Sequence, residues 1–258
     1  MANIYVGVSD IARKAKNIYL GVSDTARKVK KIYIGDSNGV ARLAYKSGSG
    51  VDPTKSSFTE AEFLGVIADG NQALMTIGAT ITLSNTYCNT YEVIGVNHDG
   101  TTGTVDIMAH TQVGNQQFSS SSQIYSSSNI RTWINGTYFN AFSNDIQNAS
   151  KAMSVVTDGS STVNDKVKLL SATEMGITGS YVPTGEGSLY TGVFTPGDRT
   201  SYITNRWRGP GSYGNSSYLW LRSRGTNNTN YVWRVRSDGY CNNYFYTNTY
   251  GVLPVLRF

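Results

Sequence analysis

Apolar and polar positions alternate in short bursts along much of the chain, as in "SYLWLRSRG" (217–225), "NYVWRVRSDGY" (230–240) and "GVLPVLRF" (251–258). A period of two sends successive side chains to opposite faces, so each burst predicts a β-strand. Asp238-Gly239 predicts a tight hairpin turn after the second of them. The last burst, with Val252, Leu253, Val255, Leu256 and Phe258, is apolar enough to be a core strand. Earlier, "FTEAEFLGVIADG" spaces Phe63, Leu64, Val66 and Ile67 as a helix would. "ATITLSNTYCNTYEVIGVNHDGTTGTVDIMAHTQV" predicts two or three antiparallel strands around an Asn-His-Asp-Gly turn. "NIRTWINGTYFNAFSNDIQNASKAMSVV" holds at least one amphipathic helix, and "DKVKLLSATEMG" predicts a strand followed by a helix start. Strands in succession with helices segregated between them give an α+β class.

The first 46 residues follow another rule. "NIYVGVSDIARKAK" (3–16) is followed by "NIYLGVSDTARKVK" (17–30) and by a decayed copy, "KIYIGDSNGVARLAYK" (31–46). Ile4, Ile18 and Ile32 align, as do Tyr5, Tyr19 and Tyr33, and Arg13, Arg27 and Arg42. Each copy reads as strand, Ser-Asp or Asn-Gly turn, and basic strand. So small a unit buries no face alone and must stack on its neighbours, on the main domain or on another protein, which favours a docking or oligomerisation element over a solvated basic array. The segment carries nine Lys or Arg against three Asp, so the net charge of +5 belongs to it and not to the remainder. A nucleic-acid role would rest on that charge alone, and none is expected. "KSGSGVDPTKSS" reads as a linker, placing repeats at 1–46, the linker at 47–57 and the main domain at 58–258.

Composition narrows the chemistry. Charged residues make up 15% of the chain, while Gly, Ser, Thr, Asn and Tyr are abundant, which suits short strands and long polar loops. The start resembles no secretion leader and no apolar run reaches spanning length, so a protein made in the cytoplasm, without membrane insertion, is expected. Cys88 and Cys241 stand far apart without metal-ligand spacing, giving two thiols or at most a single bridge. His98 reads as a turn residue and His110 as a strand residue, neither beside a recognisable nucleophile or acid. "GPGSYG" lacks the lysine and helix context of a phosphate loop. No enzyme, cofactor or metal is expected.

The informative stretch lies near the carboxyl end. From Ser212 to Tyr250, 23 of 39 residues are Asn, Tyr, Ser or Thr. Tyr offers a large, rigid contact at low entropy cost, and Asn and Ser offer adaptable hydrogen bonds, as in antibody loops. A strand over 240–246 would put Tyr240, Asn242, Tyr244 and Tyr246 on one face, the exposed one, and Cys241, Asn243 and Phe245 on the other. Trp233, Arg234 and Arg236 on the partner strand could add anchors. Core packing is the favoured reading for Trp233, and solvated strand charges the plainer one for the arginines. Trp207 in "NRWRGPGSYGNSS" fits a neighbouring loop of the same site or a structural loop equally well.

The ordered set "NIRTWINGTYFNAF", "KVKLLSATEMG", "YLWLRSR", "VRSDG" and terminal "GVLPVLRF" resembles the C-type-lectin-like variable proteins of diversity-generating retroelements, over roughly residues 58–258. The amino-terminal repeats resemble those of phage structural proteins. In that family, mutagenic reverse transcription alters adenines, so that AAC-like codons come to encode Asn, Tyr, Ser, Thr and others on a target-binding surface ahead of an unaltered final strand. The resemblance implies that Asn227, Asn228, Asn230, Tyr231, Tyr240, Asn242, Asn243, Tyr244, Tyr246, Asn248 and Tyr250 are diversified positions; Arg234 joins them as a binding residue. It implies a cell-surface protein or glycan target, a place on the virion surface, and contacts to other virion proteins through residues 1–46, with self-association left open. The Glu-Pro-Asn or Gln-Pro-Asp and Trp-Asn-Asp signatures of calcium-dependent lectins are absent, so calcium is not implied. The alternatives are a carbohydrate-binding lectin-like protein without diversification and a structural virion protein.

Overall fold

The computed structural model describes residues 19–22, 25–28, 31–35, 41–46, 48–159, 161–198 and 218–258. The chain divides into two units, Met1–Asp52 and Pro53–Phe258. In the first, β1 (Tyr19–Val22) pairs antiparallel with β2 (Thr25–Lys28), and β3 (Lys31–Gly35) with β4 (Ala41–Lys46). Each strand pair belongs to one repeat copy; the first copy lies outside the described residues. The third copy has a register shift between Ile32 and Tyr33, where β4 carries one residue more than β3.

The second unit is α+β. Its six-stranded sheet runs, in spatial order, through β12 (Val167–Leu169), β17 (Pro254–Arg257), β8 (Val105–Ala109), β7 (Thr90–Val96), β6 (Thr80–Thr82) and β5 (Ser57–Thr59). A five-stranded sheet holds β15 (Cys241–Phe245), β14 (Tyr231–Arg236), β13 (Tyr218–Arg224), β16 (Thr249–Gly251) and β9 (Asn115–Gln117). β10 (Met153–Thr157) and β11 (Ser161–Asp165) form a separate hairpin. The final strand is apolar because it lies between β12 and β8, buried along its whole length. Pro254 is tolerated there as the strand's first residue.

Helices cover little of the described residues. Helix α1 (Glu60–Ala68) starts on a capping box in which the Thr59 hydroxyl accepts from Glu62 N and the Glu62 carboxylate accepts from Thr59 N at 2.9 Å. It buries Phe63 and Val66, and Phe63 meets Phe258 edge-on with centroids 4.9 Å apart. Helix α2 (Asn129–Trp133), capped by Ser128, continues into a π-turn over Ile134–Tyr138, and α3 (Asn144–Ala149) follows. The helix start expected in "SATEMG" is instead a single turn, closed by a bond from Ile177 N to Ala172 O at 2.9 Å. Its residue Glu174 is wholly buried and held by charge partners, so the segment serves an ion network rather than a helix face.

That network joins the two large sheets. Arg222 of β13 grips the Glu174 carboxylate with both terminal nitrogens, at 2.5 and 3.0 Å, and Lys168 of β12 reaches the same group at 2.6 Å. Arg222 also donates to Val156 O at 3.2 Å, Leu169 O at 2.7 Å and Glu186 O at 2.7 Å. Every partner is buried, so the pair is fully desolvated and depends on this complete set of bonds. A second bidentate pair, Arg257 with Asp106 at 2.6 and 2.7 Å, fixes β17 to β8 and takes a bond from the Tyr190 hydroxyl at 2.7 Å. β13 is thereby anchored at its carboxyl end, and its amino end carries the candidate site.

Candidate functional site

The tyrosine surface is built on the β13–β14–β15 pairings. Trp220 lies opposite Arg234, and Arg234 opposite Asn242. Arg234 is only 6% exposed. Its Nε donates to Asn242 Oδ1 at 3.0 Å, and its guanidinium carbon sits 3.9, 4.2 and 4.7 Å from the ring centroids of Tyr218, Tyr244 and Tyr250. Arg234 has no ion pair among the described residues. Three aromatic faces and one amide hold its charge, each cation–π contact being worth roughly 0.5–2 kcal/mol. Below the cage, Trp220 packs 4.7 Å from Tyr250 and 5.5 Å from Phe118, and donates to Gln116 O at 3.0 Å. Burial raises the hydroxyl pKa of Tyr250.

The rim is aromatic as well. Tyr240, Tyr244 and Phe245 are 43, 38 and 42% exposed, and Tyr231 packs against Phe245 at 4.8 Å. The hairpin between β14 and β15 places Tyr240. Gly239, at φ 74°, takes the left-handed conformation the turn needs, and Asp238 Oδ1 accepts from both Tyr240 N at 3.0 Å and Arg236 Nε at 2.8 Å. Arg236 then lies 5.1 Å from the Tyr240 ring. Such rigid, half-exposed aromatics around a fixed arginine match the residue types that dominate protein interfaces.

Other expected positions take different roles. Asn227 and Asn230 are exposed on the turn between β13 and β14, where Asn243 Nδ2 donates to Asn227 Oδ1 at 2.6 Å. Asn228 spends its side-chain oxygen on Asn230 N at 2.8 Å, and Asn248 donates to Phe245 O at 3.2 Å, so both shape turns. Tyr246 lies beyond β15, half-buried, with its hydroxyl donating to Ser121 O at 3.2 Å. The expected four-residue row therefore ends at Tyr244, and Phe245, assigned to the hidden face, is the exposed ring at this end of the strand. Arg234 is caged rather than solvated, and Trp233 is buried, donating to Tyr181 O at 3.1 Å. Tyr218, Trp220 and Phe245 were missed as site residues; the only signal was that "YLWLR" opposes "WRVR", which needs the pairing register. Trp207 and "GPGSYG" lie outside the described residues.

A family model described as a domain of unknown function, DUF6273, matches residues 102–257. The chain belongs to the DUF6273 family. The matched span runs from just before β8 through β17, so the DUF6273 domain contains the ion networks and the whole tyrosine surface. No curated protein and no solved structure matches the chain.

Within the second unit, reactive groups are absorbed by structure. Cys88 is buried and Cys241 half-buried, and no disulfide joins them. Cys88 Sγ lies 3.0 Å from Thr90 O. His98 sits in the turn Asn97–Gly100 but is stacked on Tyr190 at 3.6 Å, and burial lowers its pKa. His110 lies just past the end of β8, 3.9 Å from Glu92. His98, Asp99 and Glu174 place ligand atoms within 4.8 Å of one another. Glu174, however, already binds Lys168 and Arg222, and a divalent ion there would face two cations. Among the described residues no helix is long and apolar enough to cross a membrane.

Proposed function

We propose that this chain is a phage-encoded target-binding protein of the virion surface, with a C-type-lectin-like domain that presents the tyrosine and asparagine surface of β13–β16 to a cell-surface target. The observation that carries the reading is the Arg234 cage, with Tyr240, Tyr244 and Phe245 left exposed around it. Exposed aromatic rings on a sheet already fixed by buried ion pairs favour contact over idle surface, because they are desolvated on binding at little entropy cost. The amino-terminal repeats attach the domain to other virion proteins, and several copies on one particle add avidity to weak single contacts.

The retroelement reading adds that the surface is diversified while the final strand is fixed. β17 is buried and paired on both sides, so it tolerates little change, whereas Tyr240, Tyr244 and Asn227 have solvent beside them. Population sequencing of the locus tests this. Substitutions concentrated at Asn, Tyr, Ser and Thr codons between 212 and 250, with a silent 251–258, support diversification; uniform variation removes it.

A further inference from the structure

Beside the tyrosine surface is a pocket of about 400 Å³, formed by Arg224, Gln123 and the turn at residues 226–229. Its floor is set before any ligand arrives. Gly225 N donates to Tyr231 O at 2.7 Å, and the buried Gln123 side chain, with its amide nitrogen toward the turn, donates to Asn228 O at 2.8 Å and Tyr231 O at 2.7 Å. A Cβ at position 225 would come within 2.6 Å of Asn243 Nδ2, so any larger residue there must displace the Asn243 side chain.

Arg224 is the group this arrangement leaves unused. Its Nε is shut off from solvent and makes no hydrogen bond, and its guanidinium has no ion pair among the described residues. Every other arginine of the second unit's described sheets has a carboxylate, or for Arg234 an aromatic cage. The Arg224 side chain lines the pocket, and a carboxylate entering there would pair with its unmatched charge in the geometry arginine favours. The remaining wall consists of threonine hydroxyls, asparagine amides and Gly225, with no apolar side chain, and the volume lies in the range of small-molecule sites. Hydroxyls and amides around one cation suit a hydroxyl-rich ring bearing an acid better than a peptide, whose side chains would need apolar contact.

We infer that this pocket is a subsite for a carboxylate-bearing sugar residue of the target. The inference rests on the target-binding reading and names the chemistry of that target. Saturation-transfer NMR on the full chain, with sodium glucuronate, glucose and N-acetylglutamate as probes, tests it. Glucuronate should bind and glucose should not. Arg224→Gln should weaken glucuronate binding by roughly tenfold to a hundredfold, the worth of one charge-assisted contact set. Thr229→Trp, filling the pocket from its exposed rim, should also abolish binding, and carries the test if Arg224→Gln does not fold. Equal binding of glucose, unchanged glucuronate binding by both variants, or tighter binding of N-acetylglutamate would overturn the proposal, the last in favour of a protein ligand. The tyrosine-surface variant Tyr240→Ser/Tyr244→Ser/Phe245→Ser separates the two readings: glucuronate bound with cell attachment unaffected by that variant leaves the subsite and removes the tyrosine surface, whereas tyrosine-dependent attachment without glucuronate binding does the reverse.

Discussion

Arg222 and Arg234 lie on neighbouring strands of one sheet and are both nearly inaccessible, at 1 and 6% exposed, yet their charges are balanced by opposite means. Arg222 faces the six-stranded sheet and takes a buried carboxylate, three carbonyls and the company of Lys168. Arg234 faces outward and takes three tyrosine rings and an amide. The first solution locks the sheets, because removing any member strands a charge in low dielectric. The second keeps the arginine in place through four separate contacts, so the loss of one ring or of the amide still leaves the others on the charge. The contrast separates a site where one loss strands a charge from a site where the support is spread over several side chains.

The largest effect should come from breaking the locked side. Glu174→Ala leaves Arg222 and Lys168 buried and unbalanced, and should cost about 3–5 kcal/mol in denaturant unfolding, or prevent folding. Acid should approach the same end gradually. Burial works to raise the Glu174 pKa, but Arg222 and Lys168 outweigh it and bring it from the ordinary 4.5 down to about 2. A depressed carboxylate contributes stability above its unfolded value and loses it as pH falls, so unfolding midpoints should drop between about pH 4.5 and 2. Glu186, raised chiefly by burial, titrates with the opposite sign and adds stability as pH falls toward 4.5, before the loss from Glu174 sets in.

Smaller effects belong to the outer side. Arg234→Leu removes the cation–π contacts but leaves no counter-charge stranded, and should cost about 1–3 kcal/mol by the same unfolding measurement. Equal losses from Glu174→Ala and Arg234→Leu would erase the comparison. Tyr240→Ser/Tyr244→Ser/Phe245→Ser, which gives up two cation–π contacts at exposed rings, should cost about 1–2 kcal/mol while abolishing attachment to cells measured with fluorescently labelled protein. A collapse of folding in that variant would make these rings core.

The strands around the site were legible because their patterns are local. "YLWLRSR", "YVWRVR" and the apolar tail alternate or cluster whatever they pair with, and Asp238-Gly239 announces its turn. Tyr240 and Tyr244 were legible as exposed for the same reason. Tyr246 and Phe245 were misassigned because β15 stops at Phe245, and beyond a strand's end the period of two no longer decides a side chain's direction. "SATEMG" reads as a helix start by composition, yet the pull of Arg222 and Lys168 on Glu174 is a long-range term that no local pattern contains.

Amino-acid order alone determined the repeats with their basic charge, the α+β class, the buried final strand and the concentration of tyrosine and asparagine ahead of it, since each follows from spacing or composition within a few residues. Only the tertiary structure decided which arginine meets a carboxylate, which meets tyrosine rings, and which, at Arg224, meets neither. Those outcomes depend on register between strands distant in sequence, and burial converts a difference in neighbours into a difference in the energy of a charge.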